Sequence, residues 1–167
     1  IKDLSKCFIN SGFKIFEKNI EQGFPVKGIK APNSSQKPRA WFDKLNNWAK
    51  ESGQKGLGYI IYEKDEFKGP IANNLKEENL LQIKKIFDIE NGDSIFLISD
   101  QEEEANRFAS IVREKLANQL DLIEKNSFRF CWIIDYPMYE INSKTNKIDF
   151  SHNPFSMPQG GMDALKN

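Results

Sequence analysis

The stretch "DSIFLISD", residues 93 to 100, sets four large apolar side chains, Ile95 to Ile98, between two aspartates. A run this short is too brief for a core helix, and its β-branched and aromatic content reads as a buried strand. Such a strand obliges the chain to supply partner strands and a covering layer. "GLGYIIYE" (56–63) and "FPVKGIKAP" (24–32) read as two partners, the latter carrying Val26 and Ile29 and ending at Pro32. "FKIFEKNI" (13–20) alternates Phe13, Ile15 and Glu17 and predicts a further strand. After a turn at Gln22–Gly23 it would pair antiparallel with 24–32.

Helical spacing fills the intervals. Ile1, Leu4, Cys7 and Phe8 predict a short amphipathic helix ending before Gly12. After the polar loop "NSSQKP", Pro38 stands at a first helical position, and Trp41, Leu45, Trp48 and Ala49 share one face. Residues 64–73 read as a looser, charged excursion returning through "GPIA". Asn74 with Glu77 forms a capping-box pattern for a helix burying Leu80, Leu81, Ile83 and Phe87, and Gly92 closes that connection. Asp100 with Glu103 repeats the pattern for a helix burying Ala105, Phe108, Ala109, Val112 and Leu116. Its acidic start, Glu102 to Glu104, suits the positive end of a helix dipole. "FRFCWIID" (128–135) predicts a last strand, followed by a polar hairpin around "NSKTNK".

The predicted class is α+β: a two-layer sandwich over residues 1–124, with helices covering one face of a mostly antiparallel sheet. Residues 125–167 have a different texture, with a hairpin, prolines and little helix, and read as a second unit. Lys plus Arg equals Asp plus Glu at 24 each, so net charge makes no case for nucleic acid. Cys7 and Cys131 sit among apolar neighbours in no metal-ligand spacing, which predicts reduced, buried thiols and a cytoplasmic protein. No apolar stretch approaches the ~20 residues of a membrane span, and the charged opening "IKDLSK" lacks a signal-peptide core. The absence of an opening Met and the stop at "MDALKN" suggest an internal fragment.

One histidine and two isolated cysteines exclude Ser-His-Asp, Cys-His and zinc sets within these residues. Gly56-Leu57-Gly58 precedes a strand rather than joining strand to helix, so it reads as strand-entrance geometry and not a phosphate loop. Glu102 to Glu104 read as a helix start rather than a metal site, and Trp41 and Trp48 as core anchors rather than base-stacking platforms. Asp135, directly after "FCWII", needs a partner or water, and Pro137 ends its strand. His152 lies in "DFSHNPFSMPQGG"; a lone loop histidine is by itself a weak clue.

The tail carries a resemblance. "FCWIIDYPMYE", a hairpin and then "DFSHNPFSMPQGG" resemble the segment of bacterial-type aspartyl-tRNA synthetases that follows their inserted domain. "SGFKIF", "GLGYIIYE", "GPIANNL" and "NGDSIFLISD" resemble successive pieces of that insertion, the GAD domain. The resemblance implies a GAD-like domain over 1–124 and a class II catalytic-sheet segment over 125–167. It implies ATP and Mg2+ for the intact enzyme, aspartate and tRNA-Asp as its substrates, and a homodimer. By the same resemblance His152 contacts the substrate aspartate, with Asn153 beside it, while Pro154 and Phe155 fix the backbone that presents them.

The family's ATP-clamping arginines do not appear. Arg129 in "SFRFCW" superficially resembles one, but Cys131 stands where an acidic residue belongs, and no Gly-rich stretch ends in Arg. Without those cations the α-phosphate charge goes unstabilised, so these residues alone are expected to be inactive and monomeric. Many family members carry two histidines where this chain has His152–Asn153, and the amide suggests relaxed specificity extending to tRNA-Asn. A GAD domain from a tRNA-dependent amidotransferase, or a non-catalytic module binding tRNA or protein, are the alternatives.

Overall fold

The computed structural model describes residues 1–132, 134, 139–142 and 145–150. The chain divides into two compact units, Ile1–Glu124 and Lys125–Asn167. In the first unit the elements run β1 (Lys2–Asp3), α1 (Ser5–Phe8), α2 (Lys14–Glu21), β2 (Val26–Ala31), α3 (Arg39–Glu51), β3 (Gly58–Glu63), β4 (Glu66–Lys68), α4 (Glu77–Phe87), β5 (Ser94–Ser99) and α5 (Glu102–Gln119). The second unit contains a hairpin of β6 (Tyr139–Ile141) and β7 (Ile148–Phe150).

The five strands of the first unit stand in the order β1-β2-β5-β3-β4, and every pairing is antiparallel. The apolar run of the opening quotation is the middle strand. Its six residues pair with β2 from Val26↔Ser99 to Ala31↔Ser94, and with β3 from Gly58↔Leu97 to Ile61↔Ser94. The expected α+β class with an antiparallel sheet is therefore present.

The layering differs from expectation, because helices cover both faces. Side chains alternate along a strand, so Ile95 and Leu97 point one way and Phe96 and Ile98 the other. The first pair packs with Leu4, Phe8, Phe16, Ile83 and Phe87, from α1, α2, α4 and the segment before α1. The second pair packs with Phe42, Leu45, Phe108 and Val112, from α3 and α5. A strand apolar at consecutive positions requires both covers.

Residues 14–20 of the strand expected over 13–20 are helical rather than extended. Phe13, Phe16 and Ile20 follow helical spacing; Phe16 and Asn19 are buried, whereas Ile15 is 63 % exposed. Glu17 accepts the Gly12 N–H at 2.9 Å and Ser11 Oγ accepts the Phe13 N–H at 3.2 Å, which holds the entrance turn. The exit is a Schellman cap: Phe24 N–H donates to Asn19 O and Gly23 N–H to Ile20 O, with Gly23 at φ +81°. The antiparallel partner of β2 on that side is consequently β1, which displaces the helix expected over residues 1–11; only Ser5–Phe8 remains helical.

Residues 64–73 are better ordered than the charged excursion expected. Lys64 and Asp65, at φ +53° and +60°, make the two-residue left-handed turn that joins β3 to β4. Asn91 clamps it, accepting the Asp65 N–H at 2.8 Å and donating to Asp65 Oδ1 at 3.0 Å. Neither capping box forms. Asn74 Nδ2 donates to Pro70 O at 2.7 Å, and α4 begins after Lys76 instead. Asp100 Oδ1 accepts the Gln101 N–H at 2.9 Å, and α5 begins after Gln101. α4 buries Leu80, Ile83 and Phe87 as expected but leaves Leu81 53 % exposed. α5 buries all five residues its spacing named.

Candidate functional site

A cleft of about 650 Å³ opens between α2, α3 and the entrance of β3. Its floor is the Gly56-Leu57-Gly58 stretch. Gly56 has φ +152°, and a Cβ there would lie 2.9 Å from Asn46 Oδ1, which already accepts the Leu57 N–H at 2.9 Å. A Cβ on Gly58 would lie 2.3 Å from Ile71 Cδ1. Both glycines thus serve close packing at the strand entrance, as the sequence context suggested, and no helix N-terminus follows them to cradle phosphate.

The cleft walls are mixed. Phe13, Ile15 and Ile71 supply apolar surface, while Asn19 ties α2 to the end of β5 by donating to Ser99 Oγ at 3.0 Å. Its cations are Arg39, whose Nε lies 3.7 Å from Asp43, and Lys55, whose Nζ sits 5.8 Å above the Phe24 ring. Among the described residues no histidine lies in the lining beside Ser99 or Lys55.

The other motifs take packing roles. Glu102 to Glu104 fill the first turn of α5; Glu104 also accepts from Arg107 and, at 3.0 Å, from Gln54. Hydrogen bonding from Arg107 holds the Glu104 carboxyl below its ordinary range. Among the described residues no three His, Cys, Asp or Glu converge on a metal position. Trp48 stacks on Phe108 at 5.5 Å, and Trp41 meets Phe42 and Phe96 edge-on at 5.0 and 5.7 Å, so both are core anchors. Cys7 is buried, and burial raises its thiol pKa. Cys131 is exposed, correcting the expectation of two buried thiols.

Sequence reasoning missed the buried carboxylate of Asp93. Only 3 % exposed, it accepts the backbone N–H groups of Asn33 and Glu90 at 3.1 and 3.0 Å and pairs with Lys30 Nζ at 2.9 Å. Burial alone would raise its pKa, but these bonds outweigh that and lower it. The signal available was a charged residue abutting an apolar strand.

In the second unit, His152, Asn153, Pro154 and Phe155 lie outside the described residues, as do Asp135 and Pro137. The hairpin forms as expected: Tyr139 pairs with Phe150, their rings 5.4 Å apart. The described part of the strand expected over 128–135, residues 128–132 and 134, carries no strand assignment. There Phe128, Phe130 and Trp132 are 88, 97 and 94 % exposed and Ile134 69 %. Among the described residues no helix is long and apolar enough to cross a membrane.

Comparison with known proteins gives these features a context. The GAD domain model matches residues 16–109. The chain is 50 % identical over 165 residues to the aspartate–tRNA(Asp/Asn) ligase of Gluconobacter oxydans, covering 99 % of this chain and 28 % of that protein. It is 51 % identical over 167 residues to the ligase of the same name from Paramagnetospirillum magneticum, covering 100 % and 19 %. With that of Rickettsia bellii it shares 49 % over 168 residues, covering 100 % and 28 %. The chain thus spans under a third of the curated relatives it matches. The matched model covers the antiparallel sheet from β2 to β5 and the helices on both of its faces, and on that match the chain belongs to the GAD domain family.

Proposed function

We propose that residues 1–167 are one segment of an aspartate–tRNA ligase. That enzyme condenses aspartate with ATP, releases pyrophosphate and passes the aspartyl group to the 3′ end of tRNA. The carrying observation is where the similarity stops. The GAD model ends at residue 109, whereas identity to the three ligases extends over 99–100 % of the chain, tail included. A GAD domain from an amidotransferase would share the insertion and not the tail.

In this reading residues 1–124 are the inserted domain and 125–167 a strand and hairpin of the catalytic sheet. The exposure of Phe128, Phe130, Trp132 and Ile134 supports it, since neighbouring strands of the intact enzyme would cover those side chains. His152 and Asn153 contact the substrate aspartate. An imidazole N–H donates to its carboxylate, and the amide of Asn153 never becomes cationic, which relaxes discrimination. The names of the relatives, specifying tRNA(Asp/Asn), support charging of tRNA-Asn as well as tRNA-Asp. ATP and Mg2+ serve the intact homodimer.

The test is aspartate-dependent ATP–pyrophosphate exchange, and charging of purified tRNA-Asp and tRNA-Asn, by the full-length parent protein. Charging of both is expected. Absence of tRNA-Asp charging would overturn the reading, and strict refusal of tRNA-Asn would overturn the relaxed specificity alone.

A further inference from the structure

Asn91–Gly92 is the one Asn–Gly pair in the sequence, and it lies in the turn that leads into β5. In such a pair the backbone nitrogen of the second residue can attack the side-chain carbonyl carbon of the first, because glycine carries no side chain to block the approach. The Gly92 N–Asn91 Cγ bond forms and the Cγ–Nδ2 bond breaks. The Gly92 amide proton passes through solvent to the departing nitrogen, which leaves as ammonia. Water then opens the five-membered imide at either carbonyl. One opening gives aspartate; the other gives isoaspartate, whose main chain runs through the former side chain.

The fold needs both residues. Gly92 stands at φ +105°, where a side chain would strain the backbone. Asn91 uses both ends of its amide on the Lys64–Asp65 turn, accepting the Asp65 N–H at 2.8 Å and donating to Asp65 Oδ1 at 3.0 Å. The same contacts oppose the reaction. The Gly92 N–H, which must become the nucleophile, donates to Tyr62 O at 2.9 Å, and its C=O accepts the Ser35 N–H at 2.8 Å. Attacker and target are thus each held by a different part of the chain, although Asn91 itself is exposed to water. Ring closure requires a local opening that frees both.

We propose that Asn91–Gly92 is a spontaneous deamidation site gated by the fold: Asn91 loses its side-chain nitrogen only when the Lys64–Asp65 turn opens, and the product then keeps that turn open. Aspartate at 91 sets a second carboxylate beside Asp65 and loses the donor that Asp65 Oδ1 accepts. Isoaspartate lengthens the main chain before Gly92 and shifts it off Tyr62 and Ser35. Each conversion is therefore irreversible wear on the junction of β3, β4 and β5. The proposal stands apart from the ligase reading, since it uses only contacts within residues 1–124.

The experiment ages the full-length parent protein at one mildly alkaline pH, folded and in guanidinium chloride, and follows the peptide containing residues 91 and 92 by mass spectrometry. In denaturant Asn91 should convert ahead of Asn10 and Asn33, which precede serines. In the folded protein its rate should fall by about tenfold or more, the cost of local opening. Equal rates in the two states would overturn the gate. Asp65→Gly keeps a residue suited to φ +60° but removes the acceptor of Asn91 Nδ2. It should speed conversion of Asn91 in the folded protein by about threefold or more, with Asn10 unchanged. An unaltered rate would also overturn the gate. Asn91→Asp reproduces one product and should raise hydrogen exchange in β4 by about threefold or more while β5 stays protected. Unchanged exchange in β4 would overturn the lasting opening.

Discussion

Gly28 shows how tightly single residues are fixed. It lies in β2, and a Cβ there would come 2.7 Å from Leu4 Cδ1 and 2.9 Å from the Phe87 ring. The Gly28→Ala variant should lose about 1–3 kcal/mol through overpacking, seen as a lower urea midpoint at unchanged slope. Asp93 fixes the pH response. Burial opposes its charge, but the bonds from Lys30, Glu90 and Asn33 prevail and hold its folded pKa below the unfolded value. Its contribution is therefore complete above the unfolded carboxylate pKa of about 3.9 and is lost as pH falls through the lower folded value. Asp93→Asn should cost about 1.5–3 kcal/mol near neutrality and flatten the acid limb of a stability–pH curve measured by urea unfolding.

Elements were legible wherever burial and periodicity agreed, and α2 shows where they parted. Its Schellman cap should respond to Gly23→Ala with a loss of about 1 kcal/mol, purely conformational, because a Cβ there meets nothing within 4 Å. Thermal unfolding would show it as a lower midpoint. The sequence carried this turn plainly at Gln22–Gly23, and it carried the five buried positions of α5. It misled over residues 13–20, because Phe13-Ile15-Glu17 alternates as well as Phe13-Phe16-Ile20 repeats, and only the packed partner Phe8, 5.0 Å from Phe16, chooses. The capping boxes failed similarly, since Asn74 found Pro70 O and Asp100 its own neighbour. The second helical layer was readable in principle. Four consecutive apolar residues in β5 leave neither face for water. The cleft was not readable, being assembled from segments far apart in sequence.

At the scale of the molecule, both hydrophobic clusters lie wholly within residues 1–124. That stretch expressed alone should unfold cooperatively with a midpoint like that of residues 1–167, whereas the longer chain, with Phe130 and Trp132 bare, should aggregate at lower concentration in light scattering. Residues 1–167 should show no ATP–pyrophosphate exchange. Under the ligase function proposed above, His152→Ala in the full-length protein should raise the aspartate KM by about tenfold or more, the loss of one hydrogen bond to a charged group at ~1.5–3 kcal/mol.

The place of β5 at the centre of the sheet has a consequence for biogenesis. Val26 pairs across β5 with Ser99, 73 positions later. As the ribosome delivers the chain, β1 can pair with β2 and β3 with β4, but nothing joins these two ribbons into one sheet until the middle strand emerges. Nascent molecules would hold two sticky ribbons open through that interval, and slowing translation just beyond residue 99 should help them more than slowing it anywhere earlier.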